Sequence, residues 1–328
     1  MKRFWLWMAA WIPLVLSGIA ANAENAPATL EKPSVLCTTF PLYDWARVII
    51  GNHAGTDVDL VFLQNKGVDL HNYSPSAENL VRIARCRLFV YVGGESDDWV
   101  EAALAGYPNP RRETMNLVET LGTAAKPETF IEGMEHGHDI ATAHDEEEAG
   151  ETDEHVWLSL RHAQTLVKIL GDKIAAVDPA HASDYLANAG AYAAQLAAMD
   201  AKYASAIAAA PRKTVLFADR FPFRYLADDY NLSYYAAFAG CSAETEASFK
   251  TIAFLAKKVD ELGLSQILVI EDARHKIAEA VCANTRSKNQ QVLVLDSLQS
   301  TDGAMAQTTS YLAVMNDNLA KILQVLSR

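Results

Sequence analysis

Two histidines, His71 and His155, lie in segments that predict fixed positions for their imidazole rings. His71 is in the segment GVDLHNYSPS, between a strand and a helix, and His155 is in DEHVWLS, just before another helix. Open α/β sheets place ligands at the carboxyl ends of their strands. Neutral imidazole is a good zinc ligand, with a bond length of about 2.0–2.1 Å. The pair therefore predicts a metal site.

Each histidine has an aspartate two residues before it. Asp69 precedes His71, and Asp153 precedes His155. A carboxylate that accepts the second ring N–H fixes the orientation of a ligating imidazole. We expect one or both aspartates to do this. The alternative is that each histidine is an ordinary surface residue.

An acidic, histidine-bearing segment, residues 133–152, separates the two motifs. It contains His136, His138 and His144 among carboxylates and has no apolar periodicity. This composition predicts a surface loop. It is either a solvated acidic loop or a low-affinity collector of cations for a better site.

Residues 1–23 have the pattern of a secretory signal. Lys2 and Arg3 precede an apolar run, and Ala-Asn-Ala at 21–23 is a typical cleavage site. The apolar run is short for a membrane anchor, which needs about 20 residues. We expect cleavage after residue 23 and a periplasmic or extracellular protein.

The charge of the chain is strongly negative. With 28 Lys/Arg and 41 Asp/Glu the net charge is −13, and loss of Lys2 and Arg3 would make it −15. That sign disfavours nucleic acid and anionic membrane surfaces and favours cations.

Strand-like runs alternate with helical runs in two regions, which predicts an α/β fold with parallel sheets. We expect an N-terminal lobe at 24–177 and a C-terminal lobe at 211–328, each a mostly parallel sheet flanked by helices. The predicted strands are 34–38, 58–63, 88–92, 213–218, 234–238, 266–270 and 291–295, and the predicted helices between and after them are 42–50, 77–85, 97–104, 223–230, 247–262, 276–285 and 311–326.

An alanine-rich run joins the two lobes. It begins at Asp178-Pro179 and ends at Pro211, and about 30 helical residues would span about 45 Å. We predict a long rigid connecting helix at 178–210. The alternative is a kinked pair of helices within one domain.

The chain resembles the substrate-binding proteins of zinc or manganese ABC importers, which have a rigid helix between two lobes. Residues 67–76 are similar to the family's G-x-D-x-H-x-Y-x-P-S loop, and residues 153–159 to its D-x-H-V-W-L-S segment. Residues 94–99 resemble its G-x-x-x-x-W motif, and residues 295–298 its late turn.

The resemblance implies a set of metal ligands. The first two family ligands fall on His71 and His155, and the fourth, an aspartate, falls on Asp296, which has the alternative role of a turn carboxylate. The third falls on Arg220, because the aromatic residues that follow the third ligand in the family are also present downstream of Arg220. A guanidinium remains protonated and does not coordinate a cation.

Three residues are candidates for the missing third ligand. Asp219 is adjacent to Arg220, and its alternative role is a structural carboxylate paired with Arg220 or Arg224. Glu271 ends a predicted strand, and Cys241 would supply a thiolate. A water molecule is the remaining option.

The resemblance implies a non-enzymatic protein that captures Zn(II) and delivers it to the membrane permease of an ABC importer. Manganese is the alternative cargo if oxygen ligands dominate. We expect a monomer that does not bind nucleic acid. A secreted zinc hydrolase with Glu154 or Glu271 as general base is a second hypothesis, although H-E-x-x-H and G-x-S-x-G are absent from the sequence. A surface adhesin is a third.

Four cysteines in an exported chain permit disulfides. Cys37 and Cys86 form one possible pair, and Cys241 and Cys282 the other. Buried free thiols are the alternative.

Overall fold

The computed structural model describes residues 32–135, 151–242, 246–271 and 275–327. Two parallel four-stranded sheets organise them, which confirms the predicted α/β fold. In the first sheet, strands β1 (Ser34–Cys37), β2 (Asp59–Phe62), β3 (Leu88–Tyr91) and β4 (Glu113–Asn116) have the order β2-β1-β3-β4. In the second, β5 (Thr214–Phe221), β6 (Ser233–Ala239), β7 (Gln266–Ile270) and β8 (Gln291–Leu295) have the order β6-β5-β7-β8.

Helices alternate with these strands as expected. In chain order they are α1 (Phe40–Ile50), α2 (Ala77–Arg85), α3 (Trp99–Gly106), α4 (Leu117–Leu121), α5 (Leu160–Val177), α6 (Ala182–Ala209), α7 (Arg224–Tyr230), α8 (Phe249–Leu262), α9 (Lys276–Asn284), α10 (Met305–Thr308) and α11 (Tyr311–Leu326). Serine caps fix several of their starts. Ser76 accepts the N–H of Asn79 at the start of α2, and Ser159 accepts that of His162 at the start of α5.

Three short elements were not expected from the sequence: β4, α4 and α10. Strand β4 has the sequence ETMN, in which only Met115 is buried. It has no apolar run, and it becomes a strand because it pairs with β3 at the edge of the first sheet. Tertiary context, rather than local propensity, determines this strand.

The connecting helix α6 is one continuous α-helix of 28 residues, about 42 Å long, preceded by a 3-10 turn at Pro179–His181. It does not form the alternative kinked pair. Leu196 and Tyr203 of α6 belong to a single buried cluster that also contains Val35 of the first sheet and Val215 of the second. The two sheets therefore share one continuous core along this helix.

Some sequence predictions fall outside the described residues. These are the secretory signal at 1–23 and, within the acidic segment 133–152, residues 136–150. The lobe boundaries stay predictions. Among the described helices, none is long and apolar enough to cross a membrane.

The cysteines form neither of the pairs considered. Cys37, Cys86, Cys241 and Cys282 are all free thiols in the structure, and the first two are buried. The free-thiol alternative therefore describes this fold.

Close packing of α5 on α6 generates a stability prediction. A Cβ at Gly171 would lie 2.5 Å from the Cβ of Ala189, whereas a Cβ at Gly190 would meet nothing within 4 Å. We expect Gly171→Ala to lower the free energy of unfolding by about 1–3 kcal/mol through overpacking. The matched change Gly190→Ala should raise it by about 0.5–1 kcal/mol. Urea denaturation measures both, and equal effects would contradict the packing argument.

Candidate metal centre

The turn that carries His71 follows β2 and is held by Asp69. The Asp69 carboxylate accepts the backbone N–H of His71 at 3.0 Å and caps the 3-10 turn Leu70–Asn72. The His71 ring Nδ1 lies 2.7 Å from the Ser96 hydroxyl. Asp69 therefore positions the backbone of His71 and not its ring, so it is not the aspartate that orients an imidazole.

His155 is held by Asp153 through both its backbone and its ring. Asp153 Oδ1 accepts the backbone N–H of His155 at 3.0 Å and lies 2.9 Å from ring Nδ1. Because a carboxylate accepts, Nδ1 carries the proton, and the lone pair of the neutral ring is on Nε2. Asp153 thus orients this imidazole as expected.

Hydrogen bonds to the second lobe hold the segment around His155 in place. The Trp157 indole N–H donates to the Ser297 carbonyl at 2.9 Å, and the Tyr225 hydroxyl donates to the Asp153 carbonyl at 2.8 Å. His155 is completely buried. Its ring therefore has a fixed position between elements of both sheets.

The two imidazoles converge on one point. Nε2 of His71 and Nε2 of His155 are 3.2 Å apart, and the side chain of His71 is only 6% exposed. Two nitrogens bound to one tetrahedral zinc at about 2.0–2.1 Å would be about 3.3 Å apart. The observed separation matches two ligands of one ion, and it also matches a hydrogen bond in which the two rings share a proton.

Burial and nearby charges determine the protonation of the rings. Burial, together with the charges of His155 and Arg220, lowers the pKa of His71 to about 2, so its ring is neutral. Burial also opposes the charged form of His155, but the hydrogen bond and charge of Asp153 outweigh it and raise the pKa of that ring. His71 is available to a metal at any physiological pH.

Glu154 adds a buried carboxylate beside the rings. Its Oε1 accepts the backbone N–H of Ser96 at 2.8 Å, and its Oε2 is 3.9 Å from Nδ1 of His71. Within the part of the chain that the structure describes, Oε2 has no hydrogen-bond partner. Burial raises the pKa of Glu154 to about 7. An orphaned buried oxygen in this place suits a cation.

Gly94 makes room for that carboxylate. Its φ is +81°, and a Cβ there would lie 2.5 Å from Oε1 of Glu154. Gly94 begins the G-x-x-x-x-W motif, so one function of this motif is to let the chain approach Glu154 closely.

Cys241 belongs to two groups of three potential donors. Its thiol lies within 4.8 Å of donor atoms of His71 and Glu154, and also of donor atoms of Asp153 and His155. Burial and the charge of Glu128 raise the pKa of the Cys241 thiol. A metal that binds the thiolate must therefore displace its proton.

The three carboxylates expected from the sequence have other partners. Asp219 accepts the N–H groups of Arg220 and Ile270, Glu271 accepts the N–H and hydroxyl of Ser297, and Asp296 accepts the N–H of Leu298. Among the described residues, the groups of clustered metal donors include none of Asp219, Glu271 and Asp296. The structure thus brings His71 and His155 together without these carboxylates.

Arg220 occupies a distinct place beside the site. It follows an irregularity in β5 between Phe217 and Arg220, and its guanidinium pairs with Asp69. Irregularities of this kind redirect a side chain. The arginine therefore anchors the His71 turn to the second sheet instead of acting as a ligand.

Sequence reasoning missed Ser96 and Gln299. Oε1 of Gln299 lies 3.2 Å from Nε2 of His155, in the turn that also contains Asp296. The preceding Leu298 has a φ of +66°, an uncommon conformation for a bulky residue. The sequence gives no sign of this conformation, which determines where Gln299 lies.

The whole chain is similar to known zinc-uptake proteins. A model of the family described as "Zinc-uptake complex component A periplasmic" (ZnuA) matches residues 35–325. The chain is 28% identical to zinc-binding protein AdcA of Streptococcus pyogenes serotype M1, over 97% of this chain and 61% of that protein. It is 26% identical to the high-affinity zinc uptake system protein ZnuA of Bacillus subtilis, over 95% of this chain and 93% of that protein.

A solved structure has the same fold. The Zn(II)-bound ZnuA-like domain of Streptococcus pneumoniae AdcA matches with a TM-score of 0.68 at 24% identity, covering 91% of this chain and all of that one. The chain spans about three fifths of the length of the AdcA relative given above.

The contact between Asp153 and His155 generates a prediction about protonation. We expect Asp153→Asn to lower the pKa of His155, because the hydrogen bond and negative charge that favour the imidazolium are lost. A pH titration of the ring by NMR in metal-free protein measures the change. Asp172→Asn, at an exposed position of α5, is the control. An unchanged His155 titration in the first variant would show that Asp153 does not hold the ring.

Proposed function

This chain belongs to the periplasmic zinc-uptake component A family, and on that premise we propose that it captures Zn(II) and delivers it to the permease of an ABC importer. The approach of the two Nε2 atoms to 3.2 Å carries the proposal. Two buried imidazoles with their Nε2 atoms this close have little structural value unless a cation or a shared proton lies between them.

We propose that Glu154 and Cys241 complete the zinc shell with His71 and His155. The support is their position within 4.8 Å of the His71 donor atom and the unpartnered oxygen of Glu154. Nitrogen and thiolate donors suit zinc, whereas manganese prefers oxygen. This donor set favours zinc over the manganese alternative.

Asp296, Asp219 and Glu271 stay predicted ligands only. Asp219 and Glu271 accept hydrogen bonds through both carboxylate oxygens, and Asp296 accepts the Leu298 N–H through one oxygen. Loss of such a partner leaves a polar group unpaired at a cost of about 1–3 kcal/mol. Oε2 of Glu154 has no hydrogen-bond partner among the described residues, so a metal bound there would not incur this cost.

A binding role agrees better with this shell than hydrolysis. A catalytic zinc has three protein ligands and an open position for water. Four protein donors around one ion would leave no such position, and Glu154 would be a ligand rather than a general base. The expected absence of enzyme activity, the monomeric state and the adhesin alternative stay hypotheses.

The ligand proposal predicts loss of zinc binding on removal of either imidazole. Loss of a hydrogen-bond partner behind a metal ligand weakens metal affinity by about 10–100-fold. We expect His71→Ala and His155→Ala, which remove the ligands themselves, each to weaken zinc affinity by more than this. Competition with a chromogenic chelator measures this. His162→Gln is the control, because that ring packs on Tyr225 instead. A change below tenfold in both alanine variants would refute the proposed centre.

The thiol gives a second, separate prediction. Because the pKa of Cys241 is raised, zinc binding near neutral pH should release about one proton from it. Calorimetry in buffers of different ionisation enthalpy counts protons, and Cys241→Ser should release about one fewer and bind more weakly. Asp296→Asn should change neither the number of protons released nor the zinc affinity strongly. The reverse ranking would make Asp296 the ligand and remove Cys241 from the shell.

A further inference from the structure

A second group of imidazoles and carboxylates lies where α1 ends and α6 begins. His53 ends the 3-10 turn Gly51–His53 that follows α1, and His181 ends the turn Pro179–His181 that precedes α6. Their ring centroids are 4.1 Å apart with planes inclined by 34°. Two imidazoles from distant parts of the chain thus meet at a second place.

Three residues there present donor atoms to a common point. His53, Asp57 and His181 each offer one atom, and these atoms lie within 4.8 Å of one another. Asp57 lies 2.8 Å from Nδ1 of His53, whereas Asp184 lies 3.1 Å from Nε2, the other nitrogen of that ring. Two imidazole nitrogens and one carboxylate oxygen, with water in the fourth position, are a donor set that zinc accepts.

Asp178 orients His181 from behind. Its Oδ2 lies 2.7 Å from Nδ1 of His181 and accepts the hydroxyl of Tyr185 at 2.6 Å. Because the Asp178 carboxylate accepts a hydrogen bond from Nδ1–H, the lone pair of the neutral ring is on Nε2. This is the arrangement in which a histidine is prepared for a metal.

The local charge favours a cation. Asp57, Asp178 and Asp184 carry negative charge beside two rings that repel each other if both are protonated. The positive end of the α6 dipole opposes a cation, and Asp184 in the first turn offsets it. Hydrogen bonds that the His53 ring donates to Asp57 and Asp184 raise its pKa, so a proton is the competing occupant.

We propose that His53, Asp57 and His181 form a second divalent-metal site, for a zinc-like ion, that fastens the start of α6 to the end of α1, with Asp184 holding the opposite nitrogen of the His53 ring. The side chains of His53 and His181 are 21% and 31% exposed, so an ion reaches them from solvent. The site has no residue in common with the centre at His71 and His155. It is therefore independent of the proposed transport function.

The test isolates this site by removing the other zinc-binding histidines. In a background carrying His71→Ala, His155→Ala and alanine at His136, His138 and His144, four of the nine histidines remain. The probe is Zn(II) alone, with calorimetry for stoichiometry and NMR of ¹⁵N-labelled imidazoles for location. We expect about one equivalent to bind and the rings of His53 and His181 to shift together.

Further variants in that background separate ligands from bystanders. We expect His181→Ala to abolish the binding event and Asp178→Asn to weaken it about 10–100-fold. His162→Gln should leave it unchanged. Absence of zinc binding, or binding that leaves the His53 and His181 resonances in place, would overturn the proposal.

The unsubstituted protein provides a second test in case the multiply substituted protein does not fold. Titrated beyond one equivalent of Zn(II), it should show the same joint shift of His53 and His181, and absence of that shift overturns the proposal. Loss of this site with retention of tight binding at the first centre would leave the transport proposal intact.

Discussion

The buried ion pair between Arg220 and Asp69 is the constraint on which the metal centre depends. Asp69 holds the backbone of His71 with one oxygen and the guanidinium with the other. Removal of one partner from a buried pair costs about 3–5 kcal/mol, because the other charge remains unpaired. One carboxylate therefore fixes the turn of the first lobe against β5 of the second, and the positive charge helps to keep His71 neutral.

Ser96 connects the other parts of the site. Its hydroxyl lies within hydrogen-bond distance of the His71 ring, and its backbone N–H donates to Glu154. Gly94 lets this turn approach the carboxylate closely. The donors are thus held by a network of short polar contacts, in which each donor has a supporting group. Preorganisation of this kind lowers the cost of assembling a coordination shell.

The sequence predicted what depends on local pattern. Strands such as Gln266–Ile270 and the helix Tyr311–Leu326 have the expected bounds because their apolar periodicity is strong. The convergence of His71 and His155 agrees with the prediction, and each motif leads into a helix, α2 or α5. Cys241 and Gln299 depend on where loops cross between lobes, and the left-handed Leu298 has no sequence signal. Such contacts are determined by tertiary packing.

The continuous core along α6 has a kinetic consequence for any ion held between the sheets. Because Tyr203 and Leu196 join both halves to one hydrophobic interior, the halves cannot swing apart as independent bodies without breaking that interior. Escape would then proceed by stepwise rupture of coordination bonds within a nearly closed shell. The residence time of the ion would be governed by ligand exchange, in which an incoming donor replaces one coordination bond at a time.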